Sequence, residues 1–131
     1  MKTWTLIAPA SLMLAGAVHL LPVSGVLGAD ALASLYGVAP GEPNLELLMR
    51  HRAVLFGILG LLLTASAFRA SLRPAALLAG FASVTSFLWL AATSSSLNGE
   101  LATVVVVDLV VLASLAIGAV AWAAERRIGV T

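Results

Sequence analysis

The stretch Glu100–Glu125, ELATVVVVDLVVLASLAIGAVAWAAE, decides the fold. Between its two glutamates only Asp108 is charged. In water the β-branched run Val104–Val107 would argue for a strand. In lipid an open strand leaves backbone N–H and C=O groups unpaired at several kcal/mol each, so a stretch of this length and apolarity reads as a spanning helix. The rest of the chain repeats the pattern. No charge occurs from Thr3 to Ala29, from Ala53 to Phe68 or from Pro74 to Gly99. Four passes of about 20 residues each fit these intervals. The expected spans are 4–26, 45–68, 74–96 and 100–124, within a single domain, 1–131.

Composition agrees. The 131-residue chain is 61% apolar even without its 11 glycines, whereas a soluble domain averages about 45–50% with glycine included. Charged residues make up 10%, against about 25% in a typical soluble protein. Mean hydropathy is +1.08, which excludes disorder as well as a water-soluble globule. The net charge of +1 with scattered Lys and Arg leaves no basic footprint for nucleic acid. Cysteine is absent, so disulfides and thiolate metal sites are excluded.

Local signals set the expected limits. Pro22 bends or ends the first span. Asp30 reads as the cap of a short helix over 31–36, stopped by Gly37. Asn44 reads as the cap of the second span, and Pro74 suits the first turn of the third. Lys2 and the apolar run behind it resemble a secretory signal, but the run exceeds the usual length of a signal core and reads as a retained span. The fold class is all-α: an integral membrane four-helix bundle with a short extra helix in the first external loop. With four passes, Lys2, Arg69, Arg73, Arg126 and Arg127 share one side, while Asp30, Glu42, Glu46 and Glu100 share the other, with Arg50 and Arg52 just inside it. The positive-inside rule places both termini in the cytoplasm.

Ionisable groups within spans cost about 2.5–3.5 kcal/mol each on insertion scales, so each needs a reason. His19, Arg50, His51, Arg52 and Asp108 lie at or inside the expected spans, and Glu46 stands at the mouth of the second. At 1.5 Å per residue, His19 lies about 10 Å below the outer surface, Arg50–Arg52 about 8–11 Å, and Asp108 about 12 Å. Three helices thus deliver titratable groups to one layer, with Arg50 and Asp108 as the natural ion pair. Arg50, Ala53, Gly57, Gly60, Thr64 and Ala67 form a small-residue face suited to close helix approach, and Ala8, Leu12, Ala15, Gly16 and His19 form another. Glu46 and Arg50 make an i, i+4 pair with the acid first. The helical phase leaves open which of His51 and Arg52 turns inward. Ser83, Thr85, Ser86 and Trp89 could line a cavity wall.

At His19-Leu20-Leu21-Pro22, Val26-Leu27-Gly28, Leu35-Tyr36-Gly37, Met49–Gly57, Ser83-Val84, Ser86-Phe87 and the valine run ending in Asp108, the chain resembles a family of small bacterial four-span membrane proteins. At longer range it is similar to the DoxX-like four-helix group. The resemblance covers nearly the whole chain and implies a bacterial inner-membrane location, but carries no activity with it. Members often bear the label phosphopantetheine adenylyltransferase. The residues speak against that activity, since the chain lacks a His-x-Gly-His motif and a glycine-rich phosphate loop.

Three functions compete on the residues. The first is a ligand site formed by His19, Glu46, Arg50, His51, Arg52 and Asp108, taking a small lipophilic or anionic molecule such as a quinone, isoprenoid or lipid headgroup. The second is a structural or accessory subunit, in which the charges fix helix register and the partner is a membrane protein or a second copy. The third is haem or metal ligation through His19 and His51, aided by Asp108 or Glu46. No complete catalytic motif is present. Transport has little support, since four helices make a thin wall and the halves show no inverted repeat.

Overall fold

The computed structural model describes residues 4–129. Lys2, counted above with the basic residues of the terminal side, lies outside them. The described residues are helical with no strand. Helix α1 (Trp4–Leu20) continues as a 3-10 helix (Leu21–Leu27), followed by α2 (Ala29–Tyr36), α3 (Pro43–Phe68), a 3-10 turn (Ala70–Leu72), α4 (Arg73–Ala92) and α5 (Gly99–Arg127). Four segments, Thr5–Leu27, Pro43–Phe68, Ala70–Ala92 and Gly99–Arg127, are long and apolar enough to cross a membrane. The chain is therefore compatible with a multi-pass integral membrane protein. The valine run lies within α5 and is helical.

Several ends differ from the sequence expectation, each for a local reason. The first apolar segment changes where Pro22 is expected to bend or end it, and the difference is that 3-10 winding carries it on to Leu27. After Leu20 the chain tightens into the 3-10 helix that contains Pro22, whose ring cannot donate a backbone hydrogen bond. Asp30 is not the cap of α2: the helix begins after Gly28, and Asp30 sits in its first turn, beside the positive end of the helix dipole. Nor does Asn44 cap α3. Glu42 takes that position, its carboxylate accepting from the backbone N–H groups of Asn44 and Leu45 at 2.9 Å each, with Pro43 at the first helical position. These hydrogen bonds hold the Glu42 carboxyl below its ordinary pKa. Helix α4 ends at Ala92, before the serine run.

Helix α1 packs against α3 and α5, and α4 against the same two. At the α1–α3 crossing a Cβ added to Gly16 would overlap Thr64 Oγ1 and lie 3.0 Å from the Gly60 carbonyl oxygen. Only a residue without a side chain allows this approach. Across the α1–α5 contact the Ser114 hydroxyl donates to the Ser11 carbonyl at 3.2 Å. Leu12, Ala15, Leu63, Ala67, Val111 and Leu115 belong to the shared core. The outer surface is also apolar: Leu6, Leu61, Leu78 and Val120 are each more than 60% exposed. A set of helices that is apolar inside and out matches a lipid surrounding rather than water.

Candidate functional site

The C-terminal end of α1, the N-terminal parts of α3 and α5, and α2 line a half-open cavity of about 350 Å³. Its wall is largely apolar, including Val18, Leu35, Phe56, Val104 and Val107, and it is interrupted by His19, Tyr36, Arg52, Glu100 and Asp108.

Each polar group reaches the cavity for a local reason. His19, in the last turn of α1, is 3% exposed. Its Nδ1–H donates to the Ala15 carbonyl, one turn back, at 2.8 Å, and its ring tilts against Phe56 with centroids 5.7 Å apart. That bond fixes the tautomer of the neutral ring and leaves Nε2 as the nitrogen able to accept. Arg52 projects from α3 with its guanidinium 4.7 Å from the Phe56 ring centroid and 5.1 Å from that of Tyr36. Among the described residues it makes no ion pair and no hydrogen bond. Asp108 is half-buried on α5, and no hydrogen bond reaches its carboxylate from the described residues. His19 and Arg52 line the same cavity as Asp108. Glu100, Val104 and Asp108 recur at four-residue steps and so form one stripe of α5.

The mouth is held by Asn98. Its Oδ1 accepts from the Leu101 N–H at 2.8 Å, capping α5, and its Nδ2 donates to the Tyr36 carbonyl at 2.7 Å. One side chain thus fixes the end of α2 to the start of α5. Between them Gly37 adopts φ +64°, and a Cβ there would overlap the Glu100 carboxylate. Both the backbone and the space require glycine.

The structure brings together His19, Arg52 and Asp108 and leaves the other three candidates outside. Arg50 does not meet Asp108. Its Nε–H donates to the Val26 carbonyl at 2.9 Å, and its Nη1 lies 3.7 Å from Glu46. The reason is the 3-10 helix, which carries the Val26 carbonyl to α3, where Arg50 takes it. Glu46 stays with Arg50, and His51 is exposed. Of His51 and Arg52, it is Arg52 that turns inward. The described residues hold no group of three or more His, Asp or Glu side chains placed to share a metal ion. On α4, Thr85 and Ser86 bond to carbonyls of their own helix and Trp89 is exposed. Ser83 lines a second recess of about 200 Å³ between α3 and α4, which shares Arg52 and Phe56 with the cavity.

Sequence reasoning did not single out Tyr36, Phe56 and Glu100 as site residues. A signal was present for Glu100, which stands two turns before Asp108 on the same stripe. It also missed an ion pair at the opposite end. The Arg73 Nη1–H donates to Glu125 Oε2 at 2.8 Å, both side chains being less than 10% exposed. Arg73 Nε–H also donates to the Ser66 carbonyl at 3.3 Å. Glu125 Oε1 is buried without a partner. Glu125 is the one acid on an otherwise basic side of the sequence, and that was its signal.

Compared with family models, curated proteins and solved structures, the chain gives no significant match.

Proposed function

We propose that the chain is a membrane-embedded four-helix bundle that binds one small lipophilic molecule by its polar head in the cavity beneath α2. The observation that carries this reading is the pair Arg52 and Asp108. Both line a mainly apolar cavity, and neither has a hydrogen-bond partner among the described residues. Intramembrane charges ordinarily pair with one another or with backbone, and those that do not are reserved for a ligand or a water-filled space. A volume of about 350 Å³ lies at the lower end of the usual range of small-molecule sites, about 300–1,000 Å³. A quinone, an isoprenoid ending in an oxygen-bearing group, or a lipid headgroup supplies the oxygen acceptors that Arg52 requires.

The cavity end faces the periplasmic or extracellular side in this reading, and both termini face the cytoplasm. Arg69, Arg73, Arg126 and Arg127 at the opposite end support that orientation. The resemblance to small bacterial four-span proteins and the DoxX-like group supports the bacterial inner membrane as the location. A C-terminal reporter active only outside the cytoplasm would reverse the orientation.

Ligand binding is tested by purifying the protein in a mild detergent and identifying retained lipophiles by mass spectrometry. One species enriched near stoichiometry, and lost from a Val107→Trp variant that fills the cavity, is the expected result. A bulk-lipid profile unchanged by that variant would overturn the reading. The register-fixing role expected of an accessory subunit is favoured by one observation only, the directly paired Arg73 and Glu125, and that pair lies away from the cavity.

A further inference from the structure

We infer that the cavity selects a zwitterionic head, a primary ammonium tethered to a phosphate, carried by a lipid. This inference rests on the ligand-binding reading and names the chemistry of the ligand. It follows from how the charges are divided among the walls. Both carboxylates of the cavity, Glu100 and Asp108, stand on α5, whereas its guanidinium stands on α3 and its imidazole on α1. The walls therefore oppose each other in sign. Arg52 and Asp108 do not close into an ion pair; the guanidinium lies instead 4.7 Å from the Phe56 ring centroid and 5.1 Å from that of Tyr36. A guanidinium lying over aromatic rings keeps its N–H donors, and none of those of Arg52 is taken by the described residues.

Such a gap discriminates among heads. A purely anionic head would satisfy Arg52 but meet the half-buried carboxylate of Asp108, with the exposed Glu100 further along the same stripe, and like charges repel. A neutral quinone offers acceptors to Arg52 and nothing to Asp108, which only accepts when ionised. A head with a phosphate and a primary ammonium satisfies both walls, each through charge-assisted hydrogen bonds. His19 adds Nε2, which can accept from the ammonium when the ring is neutral. The cavity, about 350 Å³, is too small for a two-chain lipid, so it takes the head while the chains remain outside it.

The test is a titration of the full chain in detergent with short-chain phosphatidylethanolamine, phosphatidylcholine and phosphatidylglycerol, read by native mass spectrometry and by the unfolding midpoint. Phosphatidylethanolamine should bind most tightly, with phosphatidylglycerol about tenfold weaker, the loss of one charge-assisted contact. Phosphatidylcholine should fall between them, because its quaternary ammonium keeps the charge but cannot donate. Asp108→Asn should abolish the preference for the ethanolamine head. Equal binding of phosphatidylglycerol in the unaltered protein, or an unchanged preference in Asp108→Asn, would overturn the head assignment while leaving a ligand cavity in place. Tighter binding of a quinone than of any phospholipid would do the same. Free O-phosphoethanolamine binding as tightly as the lipid would overturn the assignment to a lipid. No binding of any of these amphiphiles, with Val107→Trp behaving like the unaltered protein, would overturn the ligand cavity itself.

Discussion

The two ends of the helix set each hold an arginine and a carboxylate, and they treat them in opposite ways. At the end near the termini, Arg73 and Glu125 meet at 2.8 Å and are almost wholly buried. At the α2 end, Arg52 and Asp108 share a cavity without pairing, and two aromatic ring centroids lie within 5.1 Å of the guanidinium carbon. Charge in an apolar interior is therefore not by itself a sign of a site. What separates a lock from a binding place is whether the protein supplies the partner. The closed pair fixes α4 to α5 and leaves only Glu125 Oε1 without a partner, while the open pair leaves both of its charged groups unspent.

The sharpest way to break this comparison is to remove one member of each pair. Glu125→Ala leaves Arg73 buried without its counter-charge and should cost about 3–5 kcal/mol, as the loss of one partner from a buried ion pair does. Replacing both, Arg73→Met with Glu125→Leu, should recover most of that loss, because the charges to be desolvated are gone. Reversible unfolding in mixed detergent micelles measures both variants. If Arg52→Met proved as damaging as Glu125→Ala, the distinction between lock and open site would collapse.

Next in size is the frame of the open end. Asn98→Ala removes the cap of α5 and the tether to the Tyr36 carbonyl together, for an expected loss of about 1 kcal/mol. Hydrogen exchange should accelerate in α2 and in the first turn of α5, with little change around Arg73. Faster exchange spread evenly over the molecule would show that the two ends are not separable.

The large features were legible because they rest on strong local terms. Uncharged intervals define four apolar segments, and the cost of unpaired backbone in lipid overrides the strand preference of Val104–Val107. Small residues on α1 and α3 pointed to a close crossing, and Gly16 meets Gly60 there. The inward face of α3 was harder. Helix phase relative to Ala53 and Gly60 favoured Arg50, but phase counts only angles within one helix. The partner that holds Arg50 is the Val26 carbonyl, presented by a 3-10 segment no periodicity reveals. The Arg73–Glu125 pair was missed for a related reason. Each residue stands at the margin of an apolar interval, where a charged side chain is expected to reach for water. Only the assembled helices turn both inward.

A smaller effect is expected from Arg52→Met in ligand-free detergent. The variant loses two cation–π contacts, of order 0.5–1 kcal/mol each at partly exposed sites, and also removes a charge that is costly within a span. These terms oppose, so the unfolding midpoint should shift little, while retention of the bound lipophile should fall. A large destabilisation without loss of ligand would make Arg52 structural, like Arg73.

The smallest effect concerns Glu42, and it separates the pH response of the fold from that of the cavity. Its carboxylate caps α3 at the surface of the α2 end, and two backbone N–H groups hold its pKa below the ordinary value of 4.5. A folded-state pKa below the unfolded one means that the ionised form contributes stability. That contribution is complete above pH 4.5 and is lost as the pH falls through the lowered value in the folded chain. Exchange at the first turn of α3 should therefore quicken in acid, and Glu42→Ala should remove this pH dependence. Because Glu42 is not among the residues lining the cavity, the variant should leave ligand retention at neutral pH unchanged. Loss of ligand from Glu42→Ala at neutral pH would tie the capping turn to the cavity and blur the line drawn between framework and site.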